Sequence, residues 1–264
     1  MSIGVLGFVV WSHHMYTVGL DEKRNLILYS QNSRTADKSG LKLETSEVTG
    51  PPSELICGKG GRGCDEKGTI EDMDQLKEIL FGSVLGDGKL ELSPKSKNAR
   101  FGFTQSEGQK DYFVFVCSFL AAISSSKYRV YAFVDKRTGK TYKSQNTWTK
   151  ALPMLTELYN LFYIDNIKTV PTDLSLLTPI ALAHWICQDG SRGTCRGLYL
   201  CTDSFTHTDA QRLKDYLSKT YNIKCSLHKI NGRYRIYIFA KSVQAVRDLV
   251  LPYMHSSMLY KLGI

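Results

Sequence analysis

Two Asp-Gly pairs, Asp87-Gly88 and Asp189-Gly190, are the residues best placed to do chemistry, and they lie 102 positions apart. Each pair ends a mostly apolar stretch that begins with Leu, LFGSVLGDG over 80–88 and LAHWICQDG over 182–190. An acid at the negative end of a helix is electrostatically unfavourable. Because this cost recurs at equivalent places, the acids are predicted to have a function. The simpler alternative is that each pair only ends a helix with a turn.

Two such acids could form a metal site if the two stretches are helices that pack side by side. Their C-terminal ends would then bring Asp87 and Asp189 together, and close carboxylates repel unless a cation lies between them. With the backbone carbonyls of Gly86 and Gln188, they would form an oxygen-rich site suited to Mg²⁺ or another divalent cation such as Mn²⁺. A divalent cation there can activate a water and stabilise the leaving oxygen of a phosphodiester.

The same order of elements is predicted around each acid, which indicates a duplicated domain. Apolar periodicity predicts helices over 71–85 and up to Asp189, and alternating patterns predict strands after each of them. In the first copy, the further elements are a strand pair within 89–105, a helix over 110–124, strands over 127–134 and 141–144, and a helix over 148–163. In the second, they are a strand over 194–202, a helix over 208–221, a hairpin over 225–239 turning at Asn231-Gly232, and a helix over 243–252.

With these motifs at domain spacing, residues 73–264 resemble the two-motif, single-chain LAGLIDADG homing endonucleases. The matching positions are Leu182, Ala183, Ile186, Asp189 and Gly190 in the second copy and Leu80, Gly82, Asp87 and Gly88 in the first. The resemblance implies an α+β fold of two pseudo-symmetric α-β-β-α-β-β-α half-domains, 71–170 and 171–264, that form a saddle. It also implies a monomer that binds double-stranded DNA, with one acid serving each strand.

The helix interface and two lysines carry further expectations. Gly82 and Gly86 supply the small residues that close helix packing needs, whereas the second motif has His184 and Gln188 there. His184 is interpreted as a packed or hydrogen-bonded interface residue rather than a catalytic group. Lys168 and Lys261 lie 93 residues apart at equivalent places near the ends of the two halves. The resemblance implies that such lysines approach the scissile phosphates, and the alternative is that they are surface lysines.

Charge is consistent with a nucleic-acid partner. The chain has a net charge of +9. Lys and Arg outnumber Asp and Glu by 12 to 4 over 89–150 and by 11 to 3 over 191–247, although a merely solvated basic surface is the alternative. Outward positions of the strands are predicted to contact DNA in the major groove. In the first half they are Lys89, Glu91, Ser93, Lys95, Lys97, Arg100, Lys127, Arg129, Lys140 and Lys143. In the second half they are Arg192, Arg196, Lys224, His228, Lys229, Arg233 and Arg235.

The N-terminal part differs from the rest. Residues 2–21, with the pair His13-His14, resemble a segment of cytochrome c oxidase subunit 1, which implies an intron reading frame continuous with that exon and expression in the mitochondrion. The two histidines are interpreted as vestigial, and 22–70 as a linker. The apolar run 3–11 is too short to span a bilayer, so no membrane association is expected. Seven irregularly spaced cysteines favour reduced thiols over a disulfide framework or a zinc site.

The sequence therefore predicts a Mg²⁺-dependent DNA endonuclease that cuts an intron-less target and so initiates intron homing. The main alternative is a maturase, which would bind its own intron RNA with the same fold and basic surface but without needing the acids. A DNA-binding protein without activity is less favoured, because neither acid and neither lysine is lost.

Overall fold

The computed structural model describes three N-terminal strands, residues 70–193 and residues 195–264. The chain divides into two compact units, Met1–Gly63 and Cys64–Ile264. In the first unit, three strands form an antiparallel sheet in the order β1-β2-β3: β1 (Val5–Trp11), β2 (His14–Leu20) and β3 (Leu26–Ser30). His13 and nearly all of the predicted linker lie outside the described residues, so the interpretations placed on them stay predictions.

The first seven described elements of the second unit follow the predicted order of one helix, two strands, one helix, two strands and one helix. They are α1 (Ile70–Leu85), β4 (Lys89–Glu91), β5 (Arg100–Ser106), α2 (Lys110–Leu120), β6 (Arg129–Val134), β7 (Thr141–Trp148) and α3 (Pro153–Phe162). The four strands form one antiparallel sheet in the order β4-β5-β7-β6. A two-stranded ribbon follows, made of β8 (Tyr163–Ile164) and β9 (Ile167–Lys168). It turns through Asp165 and Asn166, which both have positive φ.

The remaining elements repeat this order. They are α4 (Pro179–Asp189), β10 (Gly190–Arg192), β11 (Leu198–Leu200), α5 (His207–Tyr221), β12 (Cys225–Ile230), β13 (Arg233–Ile238) and α6 (Ala240–Val250). Their sheet has the order β10-β11-β13-β12, which matches the first sheet strand for strand. The β12–β13 hairpin turns at Asn231-Gly232, both with positive φ. The predicted α+β fold class, with two α-β-β-α-β-β-α halves, is confirmed.

Several element boundaries differ from those predicted. Residues 148–152 do not belong to α3, because Trp148 ends β7 and the helix begins at Pro153. Proline suits the first position of a helix and forces the preceding residue to be extended, as Leu152 is (φ −133°). The strand predicted over 194–202 is only Leu198–Leu200.

The two helices that carry the Asp-Gly pairs form the centre of the hydrophobic core. Leu80 and Phe81 of α1, together with Leu182 and Trp185 of α4, are fully buried within one cluster that extends through both halves. Thr178 caps the start of α4, and its hydroxyl donates to Glu78 Oε2 of α1 at 2.8 Å. The two helices are therefore joined at one end by a polar contact and along their length by apolar packing.

Two further findings concern the cysteines and the length of the helices. Free thiols are found at Cys117, Cys187, Cys201 and Cys225. Within the described residues, each helix is too short or too polar to cross a lipid bilayer.

Candidate active site

The ends of α1 and α4 meet because the first helix has glycine where the two backbones approach. A Cβ on Gly82 would collide with the backbone of Ala181. A Cβ on Gly86 would lie 2.7 Å from Cβ and Oε1 of Gln188. The predicted close contact is thus present, and the side chain of Gln188 occupies the space that Gly86 leaves.

Asp87 lies just beyond the end of α1 and is exposed to solvent. Its backbone N–H donates a 2.8 Å hydrogen bond to Gln188 Oε1, which belongs to the other half. Its Oδ2 accepts a 2.7 Å hydrogen bond from Gln105 Nε2 at the end of the neighbouring strand β5. Both the backbone and the carboxylate of this acid are therefore held by amide side chains.

Asp189 is the last residue of α4 and is half-buried. Burial, and after it the charge of Asp87, raise the pKa of its carboxyl to about 7, against the opposing charges of Lys168 and Lys261. The charge of Asp87 acts on Asp189 because the ends of α1 and α4 meet. A cation between the two carboxylates would remove their repulsion.

The donor set fits Mg²⁺ better than a metal that needs a full protein cage. No cluster of three or more His, Cys, Asp or Glu side chains suited to a metal occurs in the part of the chain that the structure describes. Mg²⁺ is commonly held by only one or two carboxylates, together with waters and phosphate oxygens of the substrate. Asp87 and Asp189 supply two carboxylates, as that donor set requires, and their role as metal ligands stays a prediction.

The two lysines occupy equivalent positions beside the acids. Lys168 Nζ donates to the carbonyl of Gly86 at 3.2 Å and to that of Gly88 at 3.3 Å. Lys261 Nζ donates to the carbonyl of Gln188 at 2.8 Å and is only 9% exposed. Each ammonium group thus contacts the carbonyl that precedes the acid of its own half. Burial lowers the pKa of Lys168 to about 8, although the charges of Asp189 and Asp87 oppose that shift.

These contacts also bear on the predicted carbonyl ligands. The carbonyl oxygens of Gly86 and Gln188 each accept a lysine hydrogen bond. A carbonyl oxygen has two lone pairs, so one remains on each. Their role as metal ligands stays a prediction.

A buried polar network lies behind the acids. Gln188 Nε2 donates to Ser83 Oγ at 3.0 Å and to the Tyr112 hydroxyl at 3.1 Å. The same hydroxyl lies 3.0 Å from Nδ1 of His184.

Burial lowers the pKa of His184 to about 4, so the imidazole is neutral at pH 7. His184 is therefore packed and hydrogen-bonded as interpreted, but it packs against Phe115 and Phe119 of α2. The residue of α4 that faces Gly82 is instead Ala181.

The second half places a charged pair near its acid. Arg235 binds Asp203 in a bidentate manner, with Nε 2.8 Å from Oδ1 and Nη2 2.5 Å from Oδ2. The negative charge of Asp203 is among the influences that raise the pKa of Asp189. The equivalent strand of the first half carries a neutral pair instead, with Asn146 Nδ2 2.7 Å from Thr104 Oγ1.

The strand registers decide which predicted DNA contacts share one face of each sheet. In the first half, Lys89 and Arg100 lie over the Trp148 ring at 4.8 and 4.2 Å, on the face opposite Phe101 and Phe103 of the core. Glu91 shares this face and pairs with Arg100 at 3.1 Å, and Arg129 also shares it. Lys143 has the opposite orientation, because it lies on the same face of β7 as the buried residues Gln145 and Thr147.

The second sheet divides its predicted contacts in the same way. His228, Arg233 and Arg235 alternate with the core residues Ile236 and Ile238 and face away from them. Lys229 instead shares the face of Tyr234, and the Arg192 guanidinium lies against Gly263. The other predicted contacts lie in exposed loops: Ser93, Lys95, Lys97, Lys127, Lys140, Arg196 and Lys224. All of these DNA contacts stay predictions.

The sequence did not reveal four residues that shape the site, namely Ser83, Gln105, Tyr112 and Asp203. Ser83 and Tyr112 lie in apolar helices, where a single hydroxyl gives no signal of its own. Gln105 lies near the end of β5, where a polar residue gives no signal of its own, and Asp203 follows the short strand β11, whose end was not predicted accurately. The one available signal was Gln188, a long polar residue where the helix interface favours small ones.

Comparison with known proteins agrees with this geometry. The LAGLIDADG DNA endonuclease family matches residues 77–246. The chain is 34% identical over 203 residues to the cytochrome b mRNA maturase bI2 of Saccharomyces cerevisiae, covering 71% of this chain and 47% of that protein. It therefore spans about half the length of that relative. It is also 28% identical over 206 residues to the DNA endonuclease I-ChuI of Chlamydomonas applanata, covering 72% of this chain and 94% of that protein.

A solved structure has the same fold. The homing endonuclease I-WcaI bound to its DNA recognition sequence aligns with a TM-score of 0.67 at 23% identity, covering 72% of this chain and 86% of that one. At this level of identity the likeness shows the fold alone.

Proposed function

We propose, from the premise that the chain belongs to the LAGLIDADG DNA endonuclease family, that it is a site-specific endonuclease making a metal-dependent double-strand break in DNA. One observation carries the proposal: two carboxylates end two helices in contact, and a lysine binds the carbonyl before each of them. A protein that only binds nucleic acid has no need to hold two repelling carboxylates together.

The acids would hold Mg²⁺, or a similar divalent cation such as Mn²⁺, between the two halves. Such an ion supplies positive charge that stabilises the phosphodiester as negative charge develops on it. Asp87 is oriented by Gln105 and by Gln188, and Asp189 is fixed as the last residue of α4. In this proposal each acid serves one DNA strand.

The lysines supply fixed positive charge on either side of the acids. Their ammonium groups are held by backbone carbonyls at 2.8–3.3 Å, so they need little reorganisation to stabilise charge on a phosphate. Because the pKa of Lys168 is about 8, a fraction of this side chain is neutral at slightly alkaline pH.

The outward faces of the two sheets would bind duplex DNA. Arg129, Arg233 and the Lys89–Arg100 pair over Trp148 all lie on these faces. Arginine can read guanine in the major groove, and loop lysines commonly contact phosphates. The net charge of +9 favours such a partner.

The biological setting extends the proposal further. The likeness of residues 2–21 to an oxidase segment supports an intron of the mitochondrial cytochrome c oxidase subunit 1 gene as the source and the mitochondrion as the location. Both acids belong to a single chain, so a monomer suffices to cut both strands and initiate intron homing.

A second candidate function is that of a maturase. It is favoured by the 34% identity to the yeast maturase bI2. Such a protein would bind its own intron RNA through the same basic surfaces. It would not require the acids, and the two functions are compatible in one chain.

The test is to incubate the full chain with a duplex that spans the intron-less oxidase exon junction, in Mg²⁺, Ca²⁺ or EDTA. A duplex of the same composition in scrambled order is the control. Cleavage of both strands in Mg²⁺ alone, only in the junction duplex, supports the endonuclease. Tight binding without cleavage, together with preference for the intron RNA, supports the maturase instead.

A further inference from the structure

The two Asp-Gly motifs differ at the residue before the acid. In the first motif it is Gly86, which has no side chain, and in the second it is Gln188, whose side chain reaches across the helix interface. We infer that Gln188 is a positioning residue for Asp87, acting from one half on the acid of the other. The inference rests on the proposed endonuclease function.

The backbone of Asp87 depends on this contact. α1 ends at Leu85, yet the amides on either side of Asp87 still bond to carbonyls of their own helix. Gly86 N–H donates to Gly82 O at 3.2 Å, and Gly88 N–H donates to Ser83 O at 2.7 Å. Asp87 N–H donates instead to Gln188 Oε1 at 2.8 Å. The side chain of Gln188 therefore takes the place of a helix carbonyl for this acid.

The Gln188 side chain is itself firmly held. It is 8% exposed, and its Nε2 donates to both Ser83 Oγ and the Tyr112 hydroxyl. All three of its side-chain partners, Asp87 included, belong to the first half. Gly86 leaves the space that this side chain fills. The amide cannot move without losing its buried hydrogen bonds to Ser83 and Tyr112.

Asp189 has no equivalent dependence. Asp189 lies within α4. The residue equivalent to Gln188 in the first motif is Gly86, which has no side chain that could bind the backbone of Asp189. Loss of the Gln188 amide therefore frees the backbone of Asp87 while Asp189 keeps its helix. Since each acid serves one strand in the proposed function, the two strands should respond unequally.

The test uses Gln188→Met, which keeps the bulk of the side chain but none of its hydrogen bonds, and a target duplex labelled differently on each strand. We expect cleavage to slow roughly tenfold or more on the strand that Asp87→Asn affects most, and less than about threefold on the other. The matched control is Ser83→Ala. It removes one partner of Gln188 but leaves the bond to Asp87, so it should show no strand bias.

A second readout does not depend on cleavage. Hydrogen exchange of the Asp87 amide, followed by NMR in the metal-free full chain, should be at least about tenfold faster in Gln188→Met and unchanged in Ser83→Ala. Gln188→Glu keeps an acceptor oxygen at the same reach, so it should retain slow exchange even if the Met variant does not fold. Fast exchange in the Glu variant would overturn the inference.

The outcomes separate the two proposals. If the parent protein cuts no duplex, the endonuclease function fails, while the exchange measurement still decides the role of Gln188. If the parent cuts but Gln188→Met slows both strands equally with an unchanged Asp87 amide, the positioning role is wrong and the endonuclease function stands.

Discussion

The two acids end equivalent helices but lie in different environments. Asp87 is exposed, lies beyond the end of α1 and has its carboxylate bound by the neutral Gln105. Asp189 is half-buried and ends α4, and its pKa is raised to about 7 by burial and by the charge of Asp87. Duplication has therefore preserved the backbone arrangement of the two halves while the chemistry around each acid has diverged.

The difference shows which features the fold fixes and which the local side chains fix. Strand order, the meeting of the helix ends and the lysine–carbonyl contacts are shared by both halves. The side-chain partners are not shared. Gln188 of the second half binds the backbone of Asp87 in the first half, and the Asp203–Arg235 pair lies in the second half. We therefore expect the acids to contribute unequally to the cleavage of the two strands.

Forcing α1 and α4 apart should have the largest effect on the stability of the protein. Gly82→Val would place side-chain atoms where the backbone of Ala181 now lies, which forces α1 and α4 apart. We expect the free energy of unfolding to fall by at least about 3 kcal/mol, measured by urea denaturation. Gly108→Ala is the control, since a Cβ there meets only Ser106 Oγ at 4.0 Å. A Gly82→Val protein as stable as the control would contradict the packing described.

Removal of either lysine tests whether the shared contacts are catalytic. Lys168→Met and Lys261→Met keep the apolar stems but remove the charges beside the acids. We expect each to slow cleavage on the order of a hundredfold while DNA binding changes little. Lys219→Met, at an exposed position of α5, serves as the control. If both variants cut at the parent rate, the lysines have been assigned wrongly.

The raised pKa of Asp189 predicts a dependence of cleavage on pH. As the pH falls below about 7 its carboxyl becomes mostly protonated and cannot bind a cation, so at limiting Mg²⁺ the cleavage rate should fall roughly fivefold between pH 7 and pH 6. Saturating Mg²⁺ should move this dependence to lower pH, because the cation competes with the proton. Identical pH profiles of the rate at both Mg²⁺ concentrations would show that Asp189 is not the group that titrates.

In the absence of metal, substitution of the two acids should change the free energy of unfolding by small and unequal amounts. The folded protein raises the pKa of Asp189 from 3.8 to about 7, so it binds more protons than the unfolded chain between those values. Stability from this group is therefore lost as pH rises through that window. Asp189→Asn should raise the free energy of unfolding at pH 8 by about 1 kcal/mol, allowing for solvent screening, and by much less at pH 4.

The matched comparison is Asp87→Asn, which replaces an exposed carboxylate. It should change the free energy of unfolding by less than about 0.5 kcal/mol at either pH. Equal stabilisation by both substitutions would mean that the two environments do not differ as described.

The sequence predicted the framework better than the details of the site. Apolar periodicity and the repeated Asp-Gly pairs were enough for most of the element order, and Asn231-Gly232 correctly marked a hairpin turn. The short strands β8, β9 and β10 were not among the predicted elements. The start of α3 was missed because Trp148 is apolar and continues the helical pattern, whereas Pro153 determines where the helix begins.

The partners of the acids were beyond prediction for a different reason. Contacts such as Gln105 with Asp87, or Gln188 with Tyr112, join residues far apart in the chain and depend on side-chain geometry. Neither hydrophobic pattern nor charge counts carries that information. Register matters similarly, since a shift of one residue decides that Lys143 and Lys229 share faces with residues of the cores.

The most direct test of the account is the Mg²⁺-dependent cleavage of both strands of the target duplex by Asp87→Asn and Asp189→Asn. We expect each variant to bind the duplex as tightly as the parent but to cut at least one strand more slowly by about a thousandfold or more. If either variant cuts both strands at the parent rate, the paired acids at the helix ends are not the nuclease centre.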